Sequence, residues 1–159
     1  MKRFAIALTI CALPAHADQH LAELHAGILA CEDHSCVGDA AQLCMESAED
    51  GYTTVGMIDC TAQETAVWDG LLNEAYQQAM ALMRELDTAD ESRMPEYAVR
   101  AGQLRSAQRA WITFRDTNCA MEYGIWGAGS MRGLAGAACH LEMTAARTFT
   151  LRSYPEMFP

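Results

Sequence analysis

The sequence predicts an all-α protein: a small antiparallel helical bundle held by disulfides and carrying a glycine-rich loop. Three observations point there. Apolar residues recur at helical spacings over long stretches, and no strand-like alternation lasts more than a few residues. About half of the 159 residues (51%) are apolar, enough for one domain with a modest core. Six cysteines (Cys31, Cys36, Cys44, Cys60, Cys119 and Cys139) follow an export signal, and an even number in an oxidising compartment reads as a disulfide framework.

The export signal is residues 1–17, "MKRFAIALTICALPAHA". It has a basic start at Lys2 and Arg3, an apolar run from Phe4, and Ala15-His16-Ala17 as a small-residue cleavage site. The mature chain then begins at Asp18, in the periplasm or outside the cell. Cys11 raises a lipoprotein reading, but a lipobox needs Gly, Ala or Ser before its cysteine and Ile10 stands there. No other segment approaches the roughly 18 apolar residues of a membrane span.

Lys2 is the only lysine, so the mature chain has nine Arg against 21 Asp and Glu, a formal charge of −12. That argues against nucleic-acid binding, which needs a basic face, and favours either a basic partner or simple solubility.

Residues 18–30, "DQHLAELHAGILA", read as a short amphipathic helix with Leu21, Leu24, Ile28 and Leu29 inward. A second short helix is expected over residues 37–47, then a loop over 51–56. The next helix is the clearest. Thr61 suits an N-cap, with Glu64 completing a capping box, and Trp68, Leu72, Ala75, Ala79, Leu82 and Leu86 form its seam. Met80 and Met83 are soft-metal donors by type, but a helix that needs core makes them packing residues. "DTADESRMP" breaks this helix. Pro95 opens the following one at its first position, which runs to about Tyr123 with Leu104, Ala107, Trp111 and Phe114 as its apolar face. "GIWGAGSMRGLAGA", residues 124–137, has five glycines and reads as a long loop. A last helix covers residues 137–151, with Leu141, Thr144, Ala145 and Thr148 on one side. Residues 153–159 are a tail.

The connections make neighbouring helices antiparallel, so Cys119 and Cys139 meet at the end where the glycine loop turns. A bridge between them would clamp that loop. Cys44 is expected with Cys60, and Cys31 with Cys36, although composition alone leaves every pairing open.

Catalytic and metal motifs are weak. His20, His25, His34 and His140 sit in no nucleophile motif. Oxidised cysteines supply no thiolate. Cys31-x2-His34-x-Cys36 is not a standard zinc spacing. The chain therefore reads as no enzyme, with no cofactor and no metal. Tyr52, Tyr123 and Trp126 are possible aromatic anchors. Trp126, between glycines, either plugs the core or meets a partner.

"LRSAQRAWITFRDTNC", the glycine-rich "GAGS", "CHLEMTAARTFTL" and the upstream "MIDCTAQETAVWDGLLNEAY" come in an order that resembles the LprI-like lysozyme inhibitors. The resemblance covers residues 44–151 and implies a secreted, disulfide-bonded helical domain over 44–152, with residues 18–43 as an N-terminal helical extension. It implies inhibition of a lysozyme, a basic protein, by binding. The chain departs from the family in lacking a usable lipobox and in adding Cys31 and Cys36 to the usual four cysteines. The matching positions are Asp69, Leu72, Asn73, Tyr76, Gln108, Arg109, Trp111, Arg115, Asp116, Cys119, Cys139, Thr144 and Arg147.

On helices, Asp69, Asn73 and Tyr76 share one face, and Gln108, Trp111 and Arg115 share another. Two polar faces on adjacent helices meet most simply as a structural polar network, which Arg147 joins. A recognition surface is the other use of such residues. Trp126, Ser130 and Arg132 in the glycine loop are the candidate partner contacts. The rival to inhibition is a structural or stress-related envelope protein without an enzyme target.

Overall fold

The computed structural model describes residues 25–158. The expected signal segment, Cys11, Leu21 and Leu24 lie outside those residues. Among the described residues all regular structure is helical.

A helical turn over residues 25–29 leads to a 3-10 turn at His34–Cys36 and then to α1 (Asp39–Ser47). The long α2 (Thr54–Asp90) runs out, a 3-10 turn (Pro95–Tyr97) reverses the chain, and α3 (Arg100–Ile125) runs back. A six-residue turn, 126–131, leads into α4 (Arg132–Met157). At about 1.5 Å per residue, the 37 residues of α2 span roughly 55 Å. α2 packs most broadly on α4, and α3 leans more on α4 than on α2. The α2–α3 seam is therefore the least closed of the three.

The core has two parts. Trp68, fully buried, centres one with Leu71, Leu141, Ala145 and the Cys44 and Cys60 sulfurs. Ile28, Cys31, Ala40 and Ala41 belong to the same cluster, so the residues ahead of Cys44 share the core of those after it. Leu72, Ala75, Ala79, Met80, Met83, Leu104 and Leu151 form the other. Met80 and Met83 are packing residues, as expected. The three disulfides are Cys31–Cys36, Cys44–Cys60 and Cys119–Cys139, the pairing expected, of which only Cys119–Cys139 followed from the order of the helices.

Several expectations are corrected. Leu29 faces solvent, while its neighbour Ile28 is buried. Thr61 is not an N-cap: α2 begins earlier, and the Thr53 hydroxyl accepts from the Gly56 N–H at 3.0 Å. Thr61 lies inside the helix and donates to the Met57 carbonyl. Glu64 caps a different helix. Its carboxylate accepts from the N–H groups of Gly38 (2.8 Å) and Ala41 (2.7 Å), the open N-terminus of α1. The N-cap of α1 is Gly38, at φ 98°, and it has no side chain to do this. An S/T-x-x-E spacing also occurs inside helices, where it carries no capping meaning.

α2 ends inside the expected breaker, residues 87–95, but runs four residues into it, to Asp90. Asp87 accepts from the N–H groups of Arg100 (2.9 Å) and Ala101 (3.0 Å), capping α3. Arg100 in turn binds Asp90 at 2.6 Å. Pro95 opens only the 3-10 turn, and α3 starts at Arg100.

On α3, Leu104 is buried and Trp111 half-buried, but Ala107 and Phe114 face solvent, Phe114 at 60% exposure. The inward stripe is Leu104, Gln108, Trp111, Arg115 and Cys119. The expected loop over 124–137 shrinks to the short turn, because Gly133 and Gly136 are helical. Their cost to the helix, roughly 1 kcal/mol each against Ala, is offset by close packing. A Cβ at Gly136 would lie 3.4 Å from the Tyr123 Cβ, and one at Gly133 2.7 Å from the Ile58 Cδ1. α4 also runs through most of the expected tail, to Met157, with Pro155 in its final turns.

Candidate functional site

The polar positions of α3 gather around Trp111. The Arg115 guanidinium carbon lies 5.1 Å from the Trp111 ring centroid and that of Arg147, from α4, 5.9 Å. Cations near an aromatic ring gain from its quadrupole. Arg147 Nε donates to the Gln108 Oε1 at 2.9 Å, which satisfies the amide oxygen of the buried Gln108. Arg115 reaches Asp116 at 2.9 Å and Asp69, across the seam on α2, at 3.8 Å. Its side chain is 18% exposed, whereas those of Asp69 and Asp116 are about half exposed, at 52% and 54%. Asn73 donates to the Asp69 carbonyl at 2.9 Å and is exposed. The network thus has an inner half, Gln108 with Arg147, and an outer half at the surface.

The outer half lies between two clefts that share Asp69 and Arg115. One, of about 260 Å³, lies along the α2–α3 seam and takes in Asn73, Tyr76, Arg105 and Arg109. The other, of about 480 Å³, includes Thr65, Ala137 and His140. Thr65 spends its hydroxyl proton on the Thr61 carbonyl at 2.7 Å, so it is not set as a nucleophile. The clefts offer charge and hydrogen bonds, which suit binding.

The other candidate contacts are elsewhere. Trp126 ends α3 and is half exposed, and Ser130 and Arg132 are exposed. The Arg132 guanidinium lies 5.3 Å from the Tyr123 ring centroid and 3.5 Å from the Gly127 carbonyl. The Cys119–Cys139 bridge ties α3 to α4 on either side of this turn. The structure therefore separates the network residues from the turn residues instead of joining them in one site.

Sequence reasoning passed over Arg105. Its spacing from Arg109, i and i+4 on a helix, in a chain with so few cations, was a usable signal. The capping roles of Glu64 and Asp87 had no such signal, because their partners are distant in sequence.

Among the described residues no group of three or more His, Cys, Asp or Glu side chains is arranged to hold a metal, and no helix is long and apolar enough to cross a membrane.

Fold and clefts together define a small, disulfide-braced helical domain whose polar residues collect at one helix seam and one interhelical turn. The chain belongs to the lysozyme inhibitor LprI family, whose model matches residues 44–151. It is 32% identical over 97 residues to an uncharacterized protein of Rhizobium meliloti (strain 1021), covering 61% of this chain and 70% of that one. It is 31% identical over 102 residues to the uncharacterized protein YecT of Escherichia coli (strain K12), covering 58% of this chain and 62% of that one. No solved structure matches the chain.

Proposed function

We propose that this protein acts outside the cytoplasm by binding and inhibiting a lysozyme-type muramidase. The observation that carries the reading is membership of a family described by that activity. Charge supports it. The mature chain, at −12 by sequence, would be drawn to a cationic enzyme. Shape supports it as well. A glycosidase cleft lined by two catalytic carboxylates is closed by something convex. The 126–131 turn projects from the end of the α3–α4 pair with Trp126 and Ser130 exposed, and Arg132 follows at once. In this reading Trp126 enters the cleft as the apolar anchor and Arg132 faces the acids.

The test is a cell-wall turbidity assay with purified mature protein and lysozymes of several types, run across a salt series. Inhibition should weaken with salt through the association rate, because raising ionic strength to 1 M shortens the Debye length to roughly 3 Å. Trp126→Ala and Arg132→Ala should each raise the inhibition constant without changing helix content. Absence of inhibition of every lysozyme type at micromolar protein removes this reading and leaves a structural envelope role.

A further inference from the structure

The α2–α3 cleft has a charge opposite to that of the chain. The mature protein has nine arginines and 21 acids, yet three arginines line this one cleft, Arg105, Arg109 and Arg115, against a single acid, Asp69. Arg115 is engaged by Asp69 and Asp116. Arg105 and Arg109 are exposed, one helical turn apart, and their guanidiniums make no ion pair or hydrogen bond among the described residues. Where acids outnumber arginines by more than two to one, two adjacent guanidiniums facing a cleft without an acid partner are free to take an anion. Their planar forks match a carboxylate or a phosphate.

The opposite wall narrows the choice. Asp69 would repel a dianion such as phosphate. Asn73 beside it donates its amide hydrogens to the Asp69 carbonyl and carboxylate, so the pair presents acceptor oxygens that suit hydroxyl donors. Tyr76 adds the ring of a half-buried aromatic. The volume, about 260 Å³, falls just below the roughly 300–1,000 Å³ of sites for drug-sized ligands, so it suits one ring and not a chain.

We propose that the α2–α3 cleft binds a sugar acid, its carboxylate held by Arg105 and Arg109, its hydroxyls by Asp69 and Asn73, and its ring against Tyr76. The site is separate from the 126–131 turn and does not depend on any inhibition of lysozyme.

Binding is measured directly on the full mature chain, by calorimetry and by amide chemical shifts, with glucuronate as the probe. Glucose, inorganic phosphate and a short aspartyl peptide are the comparison arms. Glucuronate should bind at least about tenfold more tightly than glucose, and shifts should map to α2 and α3 around the cleft. Arg105→Ala and Arg109→Ala should each weaken glucuronate by about tenfold, while Arg93→Ala, at an exposed site in the α2–α3 connection, should not. Both tested arginines are exposed, so circular dichroism should confirm that each variant keeps its fold. Equal binding of glucose and glucuronate overturns the proposal. So does tighter binding of phosphate, which would mark a general anion site, or of the peptide, which would mark a protein partner. No binding of millimolar glucuronate, or binding insensitive to both substitutions, overturns it too.

Discussion

Replacing Glu64 with alanine should be among the most damaging single changes in this protein. The side chain is 2% exposed and accepts three hydrogen bonds: from Gly38 N, from Ala41 N and, at 3.0 Å, from the Trp68 indole N–H. Trp68 is the fully buried centre of its cluster, and the Ala41 amide is buried as well. Removing the carboxylate orphans both of those donors, each at about 1–3 kcal/mol, and loosens the part-buried Gly38 amide. The vacated space adjoins a small cavity of about 30 Å³ lined by Ile28, Cys44 and Val67, among others. Water entering there would recover part of the loss. The net expectation is about 3–5 kcal/mol, a large share of the 5–15 kcal/mol of a typical domain. At about 2–4 °C per kcal/mol for a chain of this size, the melting temperature should fall by roughly 6–20 °C. Glu64→Gln keeps the shape and one acceptor oxygen, so it should fall by less. Thermal unfolding followed by circular dichroism at neutral pH decides the matter. An alanine variant that melts within a couple of degrees of the parent would show that α1 does not depend on its remote cap.

Arg115→Ala should cost far less, about 1–2 kcal/mol, because its partners Asp69 and Asp116 are half exposed and its other contact is the Trp111 ring. A denaturant midpoint shift as large as that of Glu64→Ala would show a tighter network than the geometry implies. At Asp87, burial raises the carboxyl pKa, but the Ala101 and Arg100 N–H groups and the Arg100 guanidinium outweigh it and hold it below its ordinary value of 3.8. Its contribution is therefore present above the unfolded value and lost as pH falls through the lower folded one. Asp87→Asn should flatten stability against pH in that acid range, and equal acid limbs for parent and variant would contradict the capping role. Opening the Cys119–Cys139 bridge with paired serines should cost about 3 kcal/mol by loop entropy for a separation of 20 residues, read from urea denaturation. An unchanged midpoint would mean that packing of α3 on α4 already sets that end of the bundle.

The all-helical class was legible in the sequence because helical spacing of apolar residues is a local property, and Trp68, Leu72, Ala75 and Ala79 all went where their period placed them. The Cys119–Cys139 bridge was legible because antiparallel neighbours bring cysteines on either side of their connection together. Of the candidate site, the polar stripe of Gln108, Trp111 and Arg115 could be read from its period, but its depth could not. The sequence does not say that Arg115 lies beside an exposed Asp69 while Gln108 is sealed by Arg147. Helix ends were read least well, since the acids that set them act at a distance: Glu64 serves a helix 23 to 26 residues upstream, and Asp87 one 13 to 14 residues downstream. The glycines of 124–137 misled for a related reason. Intrinsic propensity makes them loop-formers, and only the approach of Tyr123 and Ile58 to α4 makes their missing side chains useful inside a helix. Phe114 shows the same limit: hydrophobicity marks a residue that could be buried, but the rotation of α3 against α4, a balance over the whole interface, left it in water.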